Sequence, residues 1–578
     1  MAIENLITDH LDLWTAAVRP KSSAGSGSNS KLELTGIKKL RELILELAVR
    51  GKLVPQDPSD EPASVLLERI AAEKAQLVRD GKIKSEKKYP VISDAEQPHS
   101  KPDGWVFERF GNVLINRDFE RIPLAVSERE RRKGGYDYYG ASGVIDRIDG
   151  YLFDKPLLLI GEDGANLINR SSPIAFIARG QYWVNNHAHV LDGLNEDLLK
   201  YFCLHINAIS LLPYITGTAQ PKMNQAKMNA IVLGIPPLAE QKRIVAKVDE
   251  LMALCDQLEQ RSEAQLAAHQ TLVETLLATL TDSSDADELA QNWARLSTHF
   301  DTLFTTEASI DALKQTILQL AVMGKLVPQD PSNEPASALL ERIATQKAQL
   351  VKEKKIKKEK PLLAISEDEK PFELPQGWEW CHLKDIITIM DAGWSPACPP
   401  EASPDIDTWG VLKTTAVQTL EYREYENKVL DKTKTPRPEN EVMVGDILIT
   451  RAGPKNRVGI SCLVEKTRPK LMISDKIIRF HLVEVGLSER FISLCLNAGA
   501  TAVYIDGSKS GMAESQMNIS QDKLKLAPIP LGPIKEQNHI MDRVDQLMTL
   551  CDQLKTRLQT SQQTQLALAE SLVEGALA

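Results

Sequence analysis

The octapeptide Gly51-Lys-Leu-Val-Pro-Gln-Asp-Pro58 returns letter for letter as Gly324-Lys-Leu-Val-Pro-Gln-Asp-Pro331, 273 positions later. Around it residues 37–78 align without a gap on 310–351, and Gly104-Trp105 falls at the same offset on Gly377-Trp378. A second repeat follows each copy: Leu251-Met-Ala-Leu-Cys-Asp-Gln-Leu258 matches Leu547-Met-Thr-Leu-Cys-Asp-Gln-Leu554, now 296 apart. Such a chain folds into two halves on one plan, with unlike material between the repeated pieces. Two units are too few for a solenoid. One scaffold carrying two different inserts predicts one task done twice with two specificities.

The repeats are helical by spacing. Ile37, Leu40, Ile44 and Leu47 form one apolar stripe, echoed by Ile310, Leu313, Ile317 and Leu320. Gly51 and Gly324 are placed to end these helices. A second helix is expected around 62–80, with its twin at 335–355; Pro62 and Pro335 suit a first turn. Ile244, Val248, Leu251, Cys255 and Leu258 keep heptad spacing, as do Ile540, Val544, Leu547, Cys551 and Leu554. These helices read as roughly 35–40 residues, about 55 Å each. Their stripes can bury each other as an antiparallel pair, or each can pack on its own globular neighbour. The shared heptad favours the pair.

The boundaries read as 1–31, an N-terminal segment whose residues 20–31 are a Ser/Gly-rich linker; 32–100, the first repeated helical region; 101–234, the first insert; 235–373, a central helical region with the second copy of the repeat; 374–530, the second insert; and 531–578, a C-terminal coiled-coil helix. The inserts hold strand-like runs such as Pro156-Leu-Leu-Leu-Ile160 and Asp446-Ile-Leu-Ile-Thr450. The expected class is α+β: two mixed α/β inserts separated by long helices that form an antiparallel coiled coil, with internal pseudo-two-fold duplication.

A net charge of −10 means that any nucleic-acid contact uses local patches or a partner's field. Seven cysteines without a CxxC pair fit free thiols in a reducing cytoplasm, and no run of about 18 apolar residues suggests a membrane span. The first ten residues lack the pattern of a secretory signal. No GxxxxGK[ST] loop and no GxGxxG is present, so neither nucleotide hydrolysis nor dinucleotide binding is expected of this chain. His187-Ala-His189 and Gly161-Glu-Asp-Gly164 read as hydrogen-bonding and loop-shaping residues sooner than metal ligands, and Lys352–Lys360 as a solvated helix end.

What remains is recognition. In the first insert Arg117, Arg121, Arg129, Arg131, Arg132 and Lys133 precede a run containing Tyr138 and Tyr139. In the second, Lys413, Arg451, Lys455, Arg457, Lys476 and Lys509 are spread through loop-like sequence, with Thr450-Arg-Ala-Gly-Pro-Lys-Asn-Arg457 the strongest local candidate. Guanidinium, ammonium and aromatic groups in this mix can hold phosphates and meet base edges. Taken singly, most such residues on a surface are only solvated.

The plan resembles the specificity subunit of a type I restriction–modification system over nearly the whole chain. The resemblance rests on the octapeptide repeat and on the segments Ile235-Pro-Pro-Leu-Ala-Glu-Gln-Lys-Arg-Ile244 and Ile529-Pro-Leu-Gly-Pro-Ile-Lys-Glu-Gln-Asn-His-Ile540 that lead into the long helices. It rests too on Leu158-Leu-Ile-Gly-Glu-Asp-Gly-Ala165 with Trp183-Val-Asn-Asn-His-Ala-His189, and on Gly445-Asp-Ile-Leu-Ile-Thr-Arg-Ala-Gly453. The second lead-in carries two extra residues, so the halves are expected to differ there. The resemblance implies that each insert is a target-recognition domain reading one half of a bipartite, asymmetric double-stranded DNA site, with the helices setting the unread spacer. It implies two modification (methyltransferase) subunits and two restriction (translocase and nuclease) subunits as partners. S-adenosylmethionine, ATP and Mg would act in those partners, leaving this chain non-catalytic, without a cofactor, cytoplasmic and engaged in phage defence. The competing expectation is a non-catalytic two-headed scaffold whose inserts bind proteins or small ligands.

Overall fold

A computed structural model describes residues 3–20, 32–83, 89–217, 220–284, 286–358 and 360–577, apart from 361, 364, 367 and 368. The linker expected over 20–31 lies outside them from residue 21 on. The chain divides into two compact units, Met1–Leu266 with Thr560–Ala578, and Ala267–Gln559.

In the first unit α1 (Thr35–Val49) buries Ile37, Leu40, Ile44 and Leu47, as the spacing requires. It ends in a Schellman turn: Gly51 takes φ +68°, and the Lys52 amide returns to the Leu47 carbonyl at 2.9 Å. In α2 (Ala63–Arg79) Pro62 is the cap, and the Ala63 amide donates to the Gly104 carbonyl at 2.9 Å. The long helix α3 (Leu238–Asp282) has 45 residues. The second unit repeats this plan with α4 (Glu307–Val322), α5 (Ala336–Lys352) and the 44-residue α6 (Ile534–Leu577). Gly324 has φ +71°, Lys325 returns to Leu320 at 3.0 Å, and Ala336 donates to Gly377 at 2.8 Å.

The long helices exceed the expected 35–40 residues because they start one residue after Pro237 and Pro533. The carbonyls of these prolines accept from the amides of Gln241 and Gln537 at 2.9 and 3.0 Å. The strands ahead of them correct the expected two-residue difference. Strand Val232–Ile235 pairs with Val106–Arg109, placing Ile235 opposite Val106; Pro528–Leu531 pairs with Glu379–His382, placing Leu531 opposite Glu379. Leu531, not Ile529, is therefore the counterpart of Ile235. The change in offset from 273 to 296 arises wholly inside the second insert.

The heptad stripes are buried, but not against each other. In the first unit Ile244, Val248, Leu251 and Cys255 share a core with α1 and with Leu566 and Ala569 of α6, and Leu258 packs at its edge. In the second, Leu547 and Cys551 share a core with Ile310, Leu313 and Ile317 of α4 and with Val273, Leu277 and Leu280 of α3, with Leu554 at the edge. Ile540 and Val544 enter a neighbouring core beside Trp378. Ion pairs give the directions. Within the first unit Arg41 meets Asp256 and Glu259 while Arg243 meets Asp60, so α1 opposes α3; Lys39 meets Glu570 and Lys52, just past α1, reaches Leu577, so α1 runs with α6. Antiparallel α3 and α6 thus place the stripe of each opposite the C-terminal part of the other. Each stripe also meets the repeated helix of its own unit.

The repeat builds a clamp in each unit. Trp105 Nε1 donates to the buried carboxylate of Glu240 at 3.0 Å, and Trp378 Nε1 to Glu536 at 2.8 Å. The indole rings cover Gly51 and Gly324. Lys52 Nζ donates to the terminal-turn carbonyl of Leu577 at 2.8 Å, and Lys325 Nζ to Thr281 and Ser283 at 3.0 and 2.8 Å. A lysine at these positions satisfies orphan carbonyls and the negative end of the helix dipole.

Each insert folds around a four-stranded antiparallel sheet of one topology. In the first insert the spatial order is Ile115–Asn116, Ala188–Asp192, Leu157–Gly161, Ala175–Ala178; in the second it is Ile387–Ala392, Ile477–Leu482, Ile447–Thr450, Ser461–Leu463.

Candidate nucleic-acid interface

The first insert commits most of its basic residues to its own acids. Arg117 pairs with Glu120 and Asp192 at 2.7 Å, and Arg121 with Glu162 at 3.0 Å and Asp118 at 3.4 Å. Arg132 meets Asp149 at 2.9 Å and lies 4.9 Å from the Trp183 ring; Lys133 meets Asp146 at 2.6 Å. Tyr138 is fully buried, and its hydroxyl accepts from the Leu124 amide. Tyr139 stacks on Phe176 and meets Tyr182 edge-on. The Tyr138 ring is thus enclosed by the fold, while that of Tyr139 is half-buried against aromatic neighbours. Arg131 is exposed, without an ion-pair partner among the described residues. It lies beside the hairpin of Lys133–Gly140 and Gly143–Ile148, whose tip exposes Val144 and Ile145.

In the second insert the candidates also divide. Arg457 donates to Gln418 Oε1 and to the carbonyls of Thr414 and Val417 at 2.8–2.9 Å, and burial lowers its pKa. Lys509, 9% exposed, is held by Asp506 and the Lys455 carbonyl. Both fasten the fold. Lys413 pairs loosely with Glu426 at 3.6 Å, and Lys455 with the exposed Glu514 at 3.4 Å. Arg451 is half-buried and Lys476 exposed, neither with a side-chain partner among the described residues. The Arg451 amide bonds the Lys476 carbonyl at 2.7 Å, so the sheet brings together two cations far apart in sequence.

The sheet registers give these positions counterparts. Leu158 faces Leu191 as Ile447 faces Phe480, which sets Glu162 against Arg451 and His187 against Lys476. The same backbone bonds recur. Glu162 N donates to His187 O at 2.8 Å, as Arg451 N does to Lys476 O; Met223 N donates to Glu162 O at 2.8 Å, as Ile519 N does to Arg451 O at 2.9 Å. One platform thus carries a glutamate and a histidine in one insert and an arginine and a lysine in the other.

Around Glu162 the charges are internally satisfied. His189 lies 2.6 Å from Asp118 and 2.9 Å from the Met223 carbonyl. Burial alone would lower its pKa, but Asp118, the Met223 carbonyl and Glu162 together outweigh burial and raise it. Asp118 is lowered in turn, since His189, Arg121 and the Val190 amide together overcome its own burial. His187 bonds Asp163 at 2.9 Å. Both histidines have the hydrogen-bonding roles their sequence suggested. Among the described residues no group of three His, Cys, Asp or Glu is arranged to hold a metal ion, and no helix is long and apolar enough to cross a membrane.

Past this platform the second insert projects a hairpin, Ser510–Ala513 with Gln516–Asn518, whose second strand pairs with Ala452–Gly453. Sequence reading missed it; its signal is no more than Gly511 in a polar run.

Comparison with known proteins agrees with this duplicated plan. The family model described as Type I restriction modification DNA specificity domain matches residues 102–268 and 375–561. The EcoEI type I restriction enzyme specificity subunit of Escherichia coli is 55% identical over 602 residues, and that of EcoAI from the same organism 40% over 613 residues; each match covers 100% of both chains. A solved chain described as the structural basis of complex assembly and conformational transition of the type I R-M system is 15% identical, covering 83% of this chain and 99% of that one, at a TM-score of 0.46. By both domain matches and full-length relatives, the chain belongs to the family of type I restriction–modification specificity subunits.

Proposed function

We propose that this chain is the DNA reader of its complex, each insert recognising one half of a bipartite, asymmetric double-stranded site. The observation that carries this is the pair of equivalent platforms: one backbone framework presents Glu162 and His187 in the first insert and Arg451 and Lys476 in the second. A shared frame with unlike side-chain chemistry is what two readers of two different half-sites require. The candidate contacts that keep exposed chemistry are Arg131, Lys413, Arg451 and Lys455, with Lys476 beside them. The long helices set the spacer between half-sites. The repeated scaffold surfaces, being alike, dock two identical modification subunits, and two restriction subunits complete the assembly.

In this reading the chain contributes no chemistry of its own. S-adenosylmethionine, ATP and Mg act in the partner subunits, and the free thiols of all seven cysteines suit a cytoplasmic complex. The test is an exchange of residues 101–234 for the first insert of a relative, followed by footprinting of the chain with its modification subunits. One half-site changes and the other stays. If both halves changed together, or no sequence preference existed, the two-reader assignment would fail.

A further inference from the structure

The geometry points to the hairpin Ser510–Asn518 as the element that enters the DNA major groove at the second half-site, with Met512 and Gln516 reading bases while Arg451 and Lys476 hold the flanking phosphates. This rests on the reading of the chain as a DNA-specificity subunit and names the element that supplies one of its two specificities.

Four observations carry it. The hairpin is fixed at its base and free at its tip. Its second strand continues the Ala452–Gly453 edge, and Lys523 Nζ donates to the Ser508 carbonyl at 2.7 Å. Residues 510–516 are all exposed. Next, the register shifts between Gly511 and Ala513, and Met512 at that irregularity is fully exposed. A bulge re-aims a side chain, and an apolar side chain aimed wholly into water gains stability only from a partner. The C5-methyl group of thymine is an apolar partner in the major groove. Third, the exposed Gln516 carries an amide, the group that pairs bidentately with adenine N6 and N7. Finally, Arg451 and Lys476, joined through their backbones at 2.7 Å, lie at the edge the hairpin extends and have no acidic partner among the described residues. A two-stranded ribbon fits the groove's width of about 12 Å. The first insert has a shorter counterpart at the equivalent place, where Lys222 bridges Asp163 as Asn518 bridges Ala452. There Thr216 and Lys222 exchange backbone bonds, and Lys222 pairs with Glu162 at 3.1 Å. The two readers would therefore use one element that differs in length and in the side chains it carries.

The test selects bound sequences from a random duplex library with the full chain assembled with its modification subunits. Met512→Ser with Gln516→Ala should erase preference at one to three adjacent positions of the second half-site, a loss of about 5- to 150-fold discrimination per contact, and leave the first half-site unchanged. Gln516→Glu, a single exposed change that spares the hairpin, should shift the base chosen at one position. Arg451→Ala should keep the consensus, lower affinity for all sequences and reduce the salt slope by about one. A wild-type consensus and affinity from the hairpin variants would overturn the proposal. So would weakened binding to the modification subunits with the base pattern intact, which would make the hairpin a protein-docking edge. If the wild-type assembly enriched no two-part site, the reader assignment itself would fall, an outcome distinct from either.

Discussion

Replacing Gly51 by alanine isolates what the repeated octapeptide does. Gly51 and Gly81 both follow a helix C-terminus and have nearly the same backbone, φ +68° and +67°. Their surroundings are opposite. A Cβ at Gly51 would lie 2.8 Å from Pro102 Cγ and 3.0 Å from the Trp105 ring, whereas at Gly81 nothing lies within 4 Å. Alanine in this left-handed region costs about 1–2 kcal/mol, partly offset by a stiffer unfolded chain, so Gly81→Ala should cost about 1 kcal/mol. Gly51→Ala adds overpacking against an indole already tied to Glu240, about 1–3 kcal/mol more, for a total of about 2–4 kcal/mol. With a urea slope of about 3 kcal/mol/M, that is a midpoint shift of about 1 M. Two units with separate cores call for two transitions. Gly324→Ala, whose Cβ would meet Pro375 and Trp378 at 2.9 Å, should move the other one. Equal shifts from Gly51→Ala and Gly81→Ala would refute the reasoning, because the backbone term would then account for everything and the clamp for nothing.

The same clamp holds a buried carboxylate. Burial raises the pKa of Glu240, so between the ordinary and the raised value the folded state binds more protons than the unfolded, and stability falls as pH rises through that window. Glu240→Gln keeps an acceptor for Trp105 and should flatten this decline in urea midpoints measured from pH 4 to 8. Lys325→Met should cost more than Lys52→Met, about 1–2 against under 1 kcal/mol, since Lys325 satisfies two partly buried carbonyls and Lys52 one exposed carbonyl; equal midpoints would contradict the capping roles. Arg457→Ala should destabilise the second unit by about 2–3 kcal/mol by stripping two half-buried carbonyls of their donor. The salt slope of DNA binding in that variant should stay unchanged, the opposite signature to Arg451→Ala.

Periodicity made the scaffold legible. The stripe Ile37, Leu40, Ile44, Leu47 and its twin are buried as spacing demands, and Gly51 and Gly324 end their helices. The partners of the long stripes were not legible, because a heptad states that a face is apolar without stating which surface covers it. Nor did composition distinguish Arg457 from Arg451. Six residues apart in one motif, one is tied to two carbonyls and a glutamine and the other has no side-chain partner among the described residues. That difference depends on Thr414, Val417 and Gln418, which the chain brings back from some forty positions away. Tyr138 shows the same gap. A tyrosine beside arginines looks like a base-stacking residue until the Leu124 amide and the Trp183 ring enclose it.

The contrast between repeated letters and unrepeated ones has a physical cause in what holds each part. The scaffold is joined by side chains: an indole to a carboxylate, an ammonium to helix-end carbonyls, a glycine under a ring. None of these survives substitution without loss, so the residues must recur wherever the geometry recurs. The inserts are framed by backbone ladders, in which Glu162 and Arg451 donate and accept the same two hydrogen bonds through main-chain atoms. A backbone bond does not depend on the side chain attached to it, so the frame persists while charge at that position inverts. Duplication with divergence is then the expected fate of such a chain. Identity is retained where side chains make the structure, and the side chains released from that duty are the ones free to acquire two specificities.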